Sequence, residues 1–192
     1  YVQSGVAEYL HINNARHYIM AVERGAKGRF MTAFDDRISV FYFGEWLKGY
    51  FFKDGRTVLD ALDFARDKHD EILRKLTAFN KKFRHDCEEI GKDYYLLACA
   101  AFRQSVGAHK LVENKKGELL FLSKECNSNG CIGTADVSYP SIPLYLLYNP
   151  ELVKGMLRGI FTFARMPVWK FDFAPHDIGT YPYCCGQVYG MN

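Results

Sequence analysis

Hydrophobic and polar positions divide the chain into a strand-forming opening and a helical remainder. Residues 17–22 (HYIMAV), 29–34 (RFMTAF) and 38–43 (ISVFYF) are rich in aromatic and β-branched side chains. Gly25, Gly28 and Asp35-Asp36 lie between them as turn residues, so three short strands are expected. Along the third, Ile38, Val40 and Tyr42 point one way and Ser39, Phe41 and Phe43 the other. A strand apolar on both sides is expected to be covered on both faces. Beyond the turn at Asp54-Gly55 the period changes. Apolar residues recur at positions 58, 62, 65, 72, 76, 79, 83, 87 and 90, a three-four stripe that predicts one long amphipathic helix or two stacked ones. Asp60, Asp63, Asp67, Glu71, Arg74 and Lys75 fall mostly off the stripe and are expected to face water. Acidic residues come early and basic ones late, the sense that the helix dipole favours. His69 lies on the stripe and is expected to be buried and hydrogen-bonded.

Gly91 suits a helix stop, and residues 93–112 continue as a second helix, apolar on more than one side and so expected to be buried over most of its surface. A strand at 118–122 then leads into a long polar loop, 123–143 (SKECNSNGCIGTADVSYPSIP). Its two X-Pro steps, Tyr139-Pro140 and Ile142-Pro143, disfavour helix at the residue before each proline. A short helix is expected at 143–148. Asn149-Pro150 signals the start of another at 151–165, with Leu152, Met156, Leu157, Ile160, Phe161 and Ala164 on one side. A second long loop, 173–190 (FAPHDIGTYPYCCGQVYG), follows. Consecutive helices joined by short turns run antiparallel, which brings both long loops to the same end of the helices. Loops of this length in a compact domain tend to be either functional or disordered.

Composition narrows the class. Apolar residues make up 48% of the 192 positions and charged residues 24%, as in an ordinary globular protein. The net charge of +3 is spread along the chain without a basic block, so no nucleic-acid partner is expected. No apolar run approaches the roughly 18 residues of a membrane span, and no membrane partner is expected. The chain starts at Tyr1 rather than Met and stops inside a motif-rich loop, so it is expected to be a piece of a longer protein. The missing signal peptide then says nothing about compartment. Cys87 and Cys99 fall in helical patterns as free thiols. Cys126 and Cys131 bracket a loop that an oxidising compartment would allow to be bridged, and Cys184-Cys185 completes no zinc spacing. Neither metal nor cofactor is expected.

The loops carry the chemistry. Glu125 and Asp136 offer a general base and a proton donor or anchor, at a separation that the sequence leaves open. Lys124 either pairs with Glu125 on the surface or binds a substrate carboxylate. Asn127 and Asn129 donate to an oxyanion or make turns. Asp177 caps its loop through backbone amides or joins the chemistry, and His176 shuttles a proton or orients a partner. Asp35-Asp36 is expected to be turn chemistry. Arg103 and Gln104, polar on an apolar helix, point into a cavity or pair at the helix edge. Tyr139 and Tyr181 are placed with Lys124, Asn129 and Arg103 as substrate-binding residues. No G-x-S-x-G nucleophile elbow is present.

Four segments, FDDRISVFYFG (34–44), AFRQSVGAHKLV (101–112), FLSKECNSNGCIGTADVSYPSIPLYLLYNPELVKGMLRGIF (121–161) and FAPHDIGTYPYCCGQVYG (173–190), resemble the microbial glutaminase A family over nearly the whole chain. The resemblance implies a mainly α fold. Residues 1–52 would be the tail of an N-terminal β-rich domain, and 53–192 the first part of an (α/α)6 six-hairpin toroid that the rest of the same polypeptide completes. It further implies hydrolysis of L-glutamine to L-glutamate and ammonia, in an extracellular or periplasmic protein. Lys124, Glu125, Asn129, Asp136, His176 and Asp177 stand at matching motif positions. The expected chemistry has Glu125 or Asp136 activate water, Asn129 or His176 steady the oxyanion, and Lys124 or Arg103 hold the α-carboxylate. Because fold does not decide function, a glycoside hydrolase of the six-hairpin type and a non-catalytic binding module stand as alternatives.

Overall fold

The computed structural model describes the backbone of residues 2–4, 7–12, 18–23 and 30–191, and the side chains of residues 31–190. Strands β1 (Val2–Ser4), β2 (Ala7–Ile12), β3 (Tyr18–Glu23) and β4 (Phe30–Phe34) form an antiparallel sheet in chain order. β3 and β4 fall within a residue or so of the expected strands. The expected turn residues Gly25 and Gly28 lie outside the described residues. Asp35 and Asp36 make turn chemistry: Asp35 accepts the Arg37 amide at 2.8 Å and Asp36 the Ser39 hydroxyl at 2.7 Å. Asp36 also pairs with Lys110.

Strands β5 (Val40–Tyr42) and β6 (Glu45–Leu47) form a hairpin. Phe43 and Gly44 turn it with φ values of 41° and 94°, the positive sense that a tight two-residue hairpin turn needs. Val40 and Tyr42 are buried, while Phe41 meets the ring of Trp46 at 4.6 Å on the other face. Both sides of the strand therefore carry contacts, one of them only half-shielded.

The long stripe is two helices. α1 (Val58–Asp67) opens with a capping box in which Thr57 and Asp60 satisfy each other's amides. Leu62 packs it against Met31 and Ala33, so α1 covers the first sheet. Lys68 leaves helical geometry for one residue, and α2 (His69–Glu88) follows. Its polar face carries the i,i+4 pairs Glu71–Lys75 and Lys82–Asp86 in solvent, worth a few tenths of a kcal/mol each. His69 is hydrogen-bonded to Asp70 at 2.7 Å but is not buried: it opens α2 beside the break, where the stripe turns outward.

α3 (Lys92–Gly107) folds back on α2, with Phe102 against Phe79 and Phe83, and Tyr95 against Phe83. Two expectations fail here. The helix ends at Gly107, and the residues expected to extend it form β7 (His109–Glu113), paired antiparallel with β8 (Leu119–Ser123). The ladder to β8 overrides a sequence that fits either period. Nor is α3 buried over most of its surface: Leu96 and Leu97 are 65% and 67% exposed. Together with α2 and the following helix, α3 lines an apolar groove of about 520 Å³, walled by Phe83, Ile90, Phe102, Leu144 and Leu147 among others.

α4 (Ala135–Tyr148) begins well inside the stretch expected to be loop and runs through Pro140 and Pro143. Each proline removes one backbone donor, leaving the carbonyls of Asp136 and Tyr139 without their helical partners. Both residues are exposed, which puts the freed acceptors on the solvent side of the helix. Asn149 then caps α5 (Pro150–Ala164), accepting the Glu151 amide at 3.3 Å. The buried face of α5 is Val153, Gly155, Met156, Gly159, Ile160 and Phe163, and the expected Phe161 is 48% exposed. Glycine sets this face. A Cβ on Gly155 would lie 2.9 Å from the Phe121 amide nitrogen, so the helix backbone rests directly on β8.

One core joins these parts: Val40, Tyr42 and Leu47 from the hairpin, Val112, Leu120 and Leu122 from β7–β8, and Ile160 and Phe163 from α5. Ile132, Ile178 and Cys184, from the two long loops, complete it. Each fully buried isoleucine contributes about 1.5–3 kcal/mol relative to exposure, which keeps these loops ordered. No helix among the described residues is long and apolar enough to cross a membrane.

Candidate active site

β8 delivers the chain to the first loop. Ser123 is buried with its hydroxyl 3.1 Å from that of Ser138. The loop is then closed on itself: the Glu125 amide donates to Cys131 and the Gly133 amide to Ser123, at 2.9 and 2.8 Å. Gly133 has φ +62°, and a Cβ there would lie 2.8 Å from Ile178 of the second loop. Four backbone hydrogen bonds join the two loops. The amides of Ile132, Ile178, Ala135 and Tyr181 donate to the carbonyls of Gly179, Ile132, His176 and Gly130, at 2.7–3.1 Å. The second loop returns through β9 (Gly179–Thr180) and β10 (Tyr183–Cys184), and β10 pairs in parallel with β5.

Asp177 is fully buried and is the knot of the second loop. One oxygen accepts the amides of Gly179 and Val188, at 2.9 and 3.1 Å. The other accepts the Tyr189 amide at 3.1 Å and lies 3.0 Å from Nδ1 of His176. Of the two roles expected for it, capping is the one these contacts fill. Asp177 therefore acts on the site as a positioning residue, through His176. The imidazole is further fixed by the Tyr189 ring, stacked at 4.3 Å, while the His176 amide donates to Gln187 at 2.6 Å.

Held this way, Nε2 of His176 lies 3.7 Å from Asp136, at the start of α4, with Glu125 close by: one ligand-type atom from each lies within 4.8 Å of the others. The Asp136 side chain is 74% exposed at the cluster's open edge. Glu125 accepts the Ser128 hydroxyl. Lys124 extends over the Tyr181 ring, 5.5 Å from its centre, and no ion pair joins it to Glu125. Lys124, Glu125, Asp136, His176, Asp177 and Tyr181 are thus gathered in one place.

The remaining expected residues stand apart. Asn129 makes a turn, its side-chain oxygen accepting the Cys131 amide at 3.0 Å. Tyr139, one helical turn beyond Asp136, is 77% exposed. Arg103 is exposed on α3 and makes none of the cluster's contacts. Tyr189, Gln187 and Ser128, absent from the sequence expectations, hold His176 and Glu125. A polar GQVYG tail to the second loop was the available signal for the first two.

All six cysteines are free thiols, Cys126 and Cys131 included. Burial, reinforced by Asp177, pushes the Cys131 thiol up to about 12. Burial also raises Cys184, chiefly by desolvation. Behind the first loop, His109 is buried against the Phe121 ring at 4.3 Å with Nδ1 on the Ser105 carbonyl. Desolvation holds its pKa below the usual histidine range, and its Nε2 has no partner.

Paired helices joined by short turns, with a carboxylate–histidine cluster built from the loops flanking α4 and α5 and from the first turn of α4, define a helical-hairpin domain with its candidate site at one end of the pair. Residues 91–192 match the glutaminase A six helical-hairpin domain, more than half of the chain, and the chain belongs to that family. It is similar to Glutaminase A of Aspergillus oryzae, 36% identical over 145 residues that cover 74% of this chain and 20% of the relative. It is also similar to a probable glutaminase of Arthroderma benhamiae, 26% identical over 132 residues covering 68% of this chain and 15% of the relative. The chain thus spans a fifth or less of the curated relatives it matches. No solved structure matches it.

Proposed function

We propose that the full polypeptide hydrolyses the side-chain amide of L-glutamine to L-glutamate and ammonia at the cluster of Glu125, Asp136 and His176. The observation that carries this reading is the convergence of two carboxylates on one fixed imidazole, in a chain whose family and relatives bear the glutaminase name. Asp136 or Glu125 takes a proton from a water that adds to the amide carbon, and returns it to the departing nitrogen as ammonia leaves. Asp136 is the better placed, being largely in solvent, whereas Glu125 already accepts a hydroxyl. Lys124 supplies the positive charge for the substrate's α-carboxylate, its ammonium standing over the Tyr181 ring.

The exposed Tyr181 ring beside Lys124 favours one competing reading, a glycoside hydrolase that stacks a sugar there. One assay separates the two. Ammonia from glutamine and reducing ends from a glycan panel are measured with the full polypeptide and with Asp136→Asn and Glu125→Gln. Ammonia release that falls about a hundredfold or more in Asp136→Asn is the expected result. Sugar release without ammonia overturns the amide reading, and neither product overturns both.

A further inference from the structure

We propose that Glu125, Asp136 and His176 bind one divalent transition-metal ion, with Zn²⁺ the ion whose preferences they match. The site rests on geometry alone and stands whether or not glutamine is the substrate; with the ion in place Glu125 is a ligand rather than the base, and Asp136, at the open edge, is left as the carboxylate nearest to bound water.

The 3.7 Å between Nε2 of His176 and Oδ1 of Asp136 is too long for a hydrogen bond. It is, however, the separation of two atoms that share an ion at about 2.0–2.2 Å from each. Glu125 offers a third ligand atom: one such atom from each residue lies within 4.8 Å of the others, a set that bonds of about 2.0–2.2 Å close with a small rotation of the carboxylate. The three come from three segments of the chain: the turn after β8, the first turn of α4, and the second loop.

The ring's other nitrogen fixes what Nε2 presents. Asp177 has three backbone amides on its two oxygens, so towards His176 it is an acceptor and Nδ1 is the donor. In the neutral ring Nε2 then offers a lone pair, aimed at two carboxylates. Three acceptors face one another, and only the Ser128 hydroxyl answers any of them. Lys124, next to Glu125 in sequence, extends over the Tyr181 ring. A buried carboxylate holding the far nitrogen of an imidazole is the outer-shell arrangement that orients metal-ligating histidines.

The other ligand-type group, Cys131 with His176 and Asp177, does not fit an ion. The Asp177 oxygens are already taken by three backbone amides, and Nδ1, the His176 nitrogen on that side, is held by Asp177 itself. One imidazole with two carboxylates suits Zn²⁺ better than Ca²⁺ or Mg²⁺, which prefer oxygen alone. With Asp136 at the open edge, the ion would keep a coordination position for water.

The test is direct binding. The full polypeptide, stripped with chelator, is titrated calorimetrically with ZnCl₂, and a parallel sample is loaded with Co²⁺ for its visible spectrum. His176→Ala and Glu125→Gln are each expected to lose one equivalent of Zn²⁺, or to bind it at least tenfold more weakly, and to lose the corresponding Co²⁺ bands. Asp177→Asn keeps all three ligands and should weaken binding about 10–100-fold. Glu151→Gln, in a remote exposed pair with Lys154, should leave it unchanged. Circular-dichroism melts of the metal-free variants identify any that fail to fold, and His176→Gln then replaces His176→Ala. Zn²⁺ stoichiometry and affinity that are the same in the parent, Glu125→Gln and the His176 variant overturn the proposal, as does a parent that takes up no ion. Because the readout is ion uptake, it separates from any failure of the glutamine reading.

Discussion

Replacing Asp177 by alanine is the perturbation most sharply defined by the structure. The substitution removes the acceptor of three backbone amides and of Nδ1 of His176 in a fully buried position. Val188 and Tyr189 are about half exposed, so a small loop shift hands their amides to water at little cost. The Gly179 amide is buried, and His176 loses its clamp. Leaving a buried donor unsatisfied costs about 1–3 kcal/mol, so these two groups together give about 2–6 kcal/mol. That loss falls on the second loop first, because three of its backbone amides and its imidazole hang on this carboxylate. Hydrogen exchange of the peptide spanning residues 176–190 is the matching assay, since it reports local opening where a melt of a large polypeptide does not. About 4 kcal/mol, the middle of that range, corresponds to protection falling by roughly 700-fold. Asp177→Asn should cost about half as much, because one carbonyl oxygen still accepts from Gly179 and Val188. It also turns an amide donor toward Nδ1, which moves the ring proton to Nε2. Protection within threefold of the parent in Asp177→Ala would refute the assignment of this carboxylate as the knot of the loop.

Two further perturbations probe the supports of the site. Gly179→Ala places a Cβ 2.0 Å from the Tyr183 carbonyl at φ +143° and should cost about 3 kcal/mol or more, whereas Gly159→Ala meets only the end of Ile178, at 2.7 Å. The latter gains about 1 kcal/mol of helix propensity and should stay within about 1 kcal/mol of the parent; equal costs in chemical denaturation would contradict the contact geometry. His109 has a folded pKa below the ordinary 6.5, so under acid the unfolded chain takes up a proton that the folded one refuses. Stability should fall as pH drops below 6.5, less steeply in His109→Phe, and parallel urea midpoints at pH 7.5 and 5.5 in the two proteins would discount the effect.

Much of this arrangement was legible in the residues. Short turns between helices were enough to bring the two loops together, and the positions of Glu125, Asp136 and His176 followed. The missed features share a cause, which is that distant partners decide between local alternatives. HKLV after Gly107 fits a helix or a strand, and only β8 makes it a strand. The two prolines argue against a helix at Asp136 and Tyr139, yet the freed carbonyls are on exposed residues and the helix continues. Arg103 was placed at the site because a polar residue on an apolar helix suggests a cavity, and that inference assumed a burial that α3 does not have. Asp177 carried two readings, and only the amides of Gly179, Val188 and Tyr189 separate them.

The parallel pairing of β10 with β5 gives the site a particular order of assembly. The strand that anchors the histidine loop is laid down near the start of the described chain and waits for a partner made after α5. Contacts that span so much sequence form late, because the entropy of closing a long segment must be overcome first. Emerging from a ribosome, the helices and the β7–β8 hairpin can mature while the carboxylates of Glu125 and Asp136 still lack their imidazole. Among the described residues, the Glu125–Asp136–His176 cluster would then close late, when residues 183–184 dock on β5.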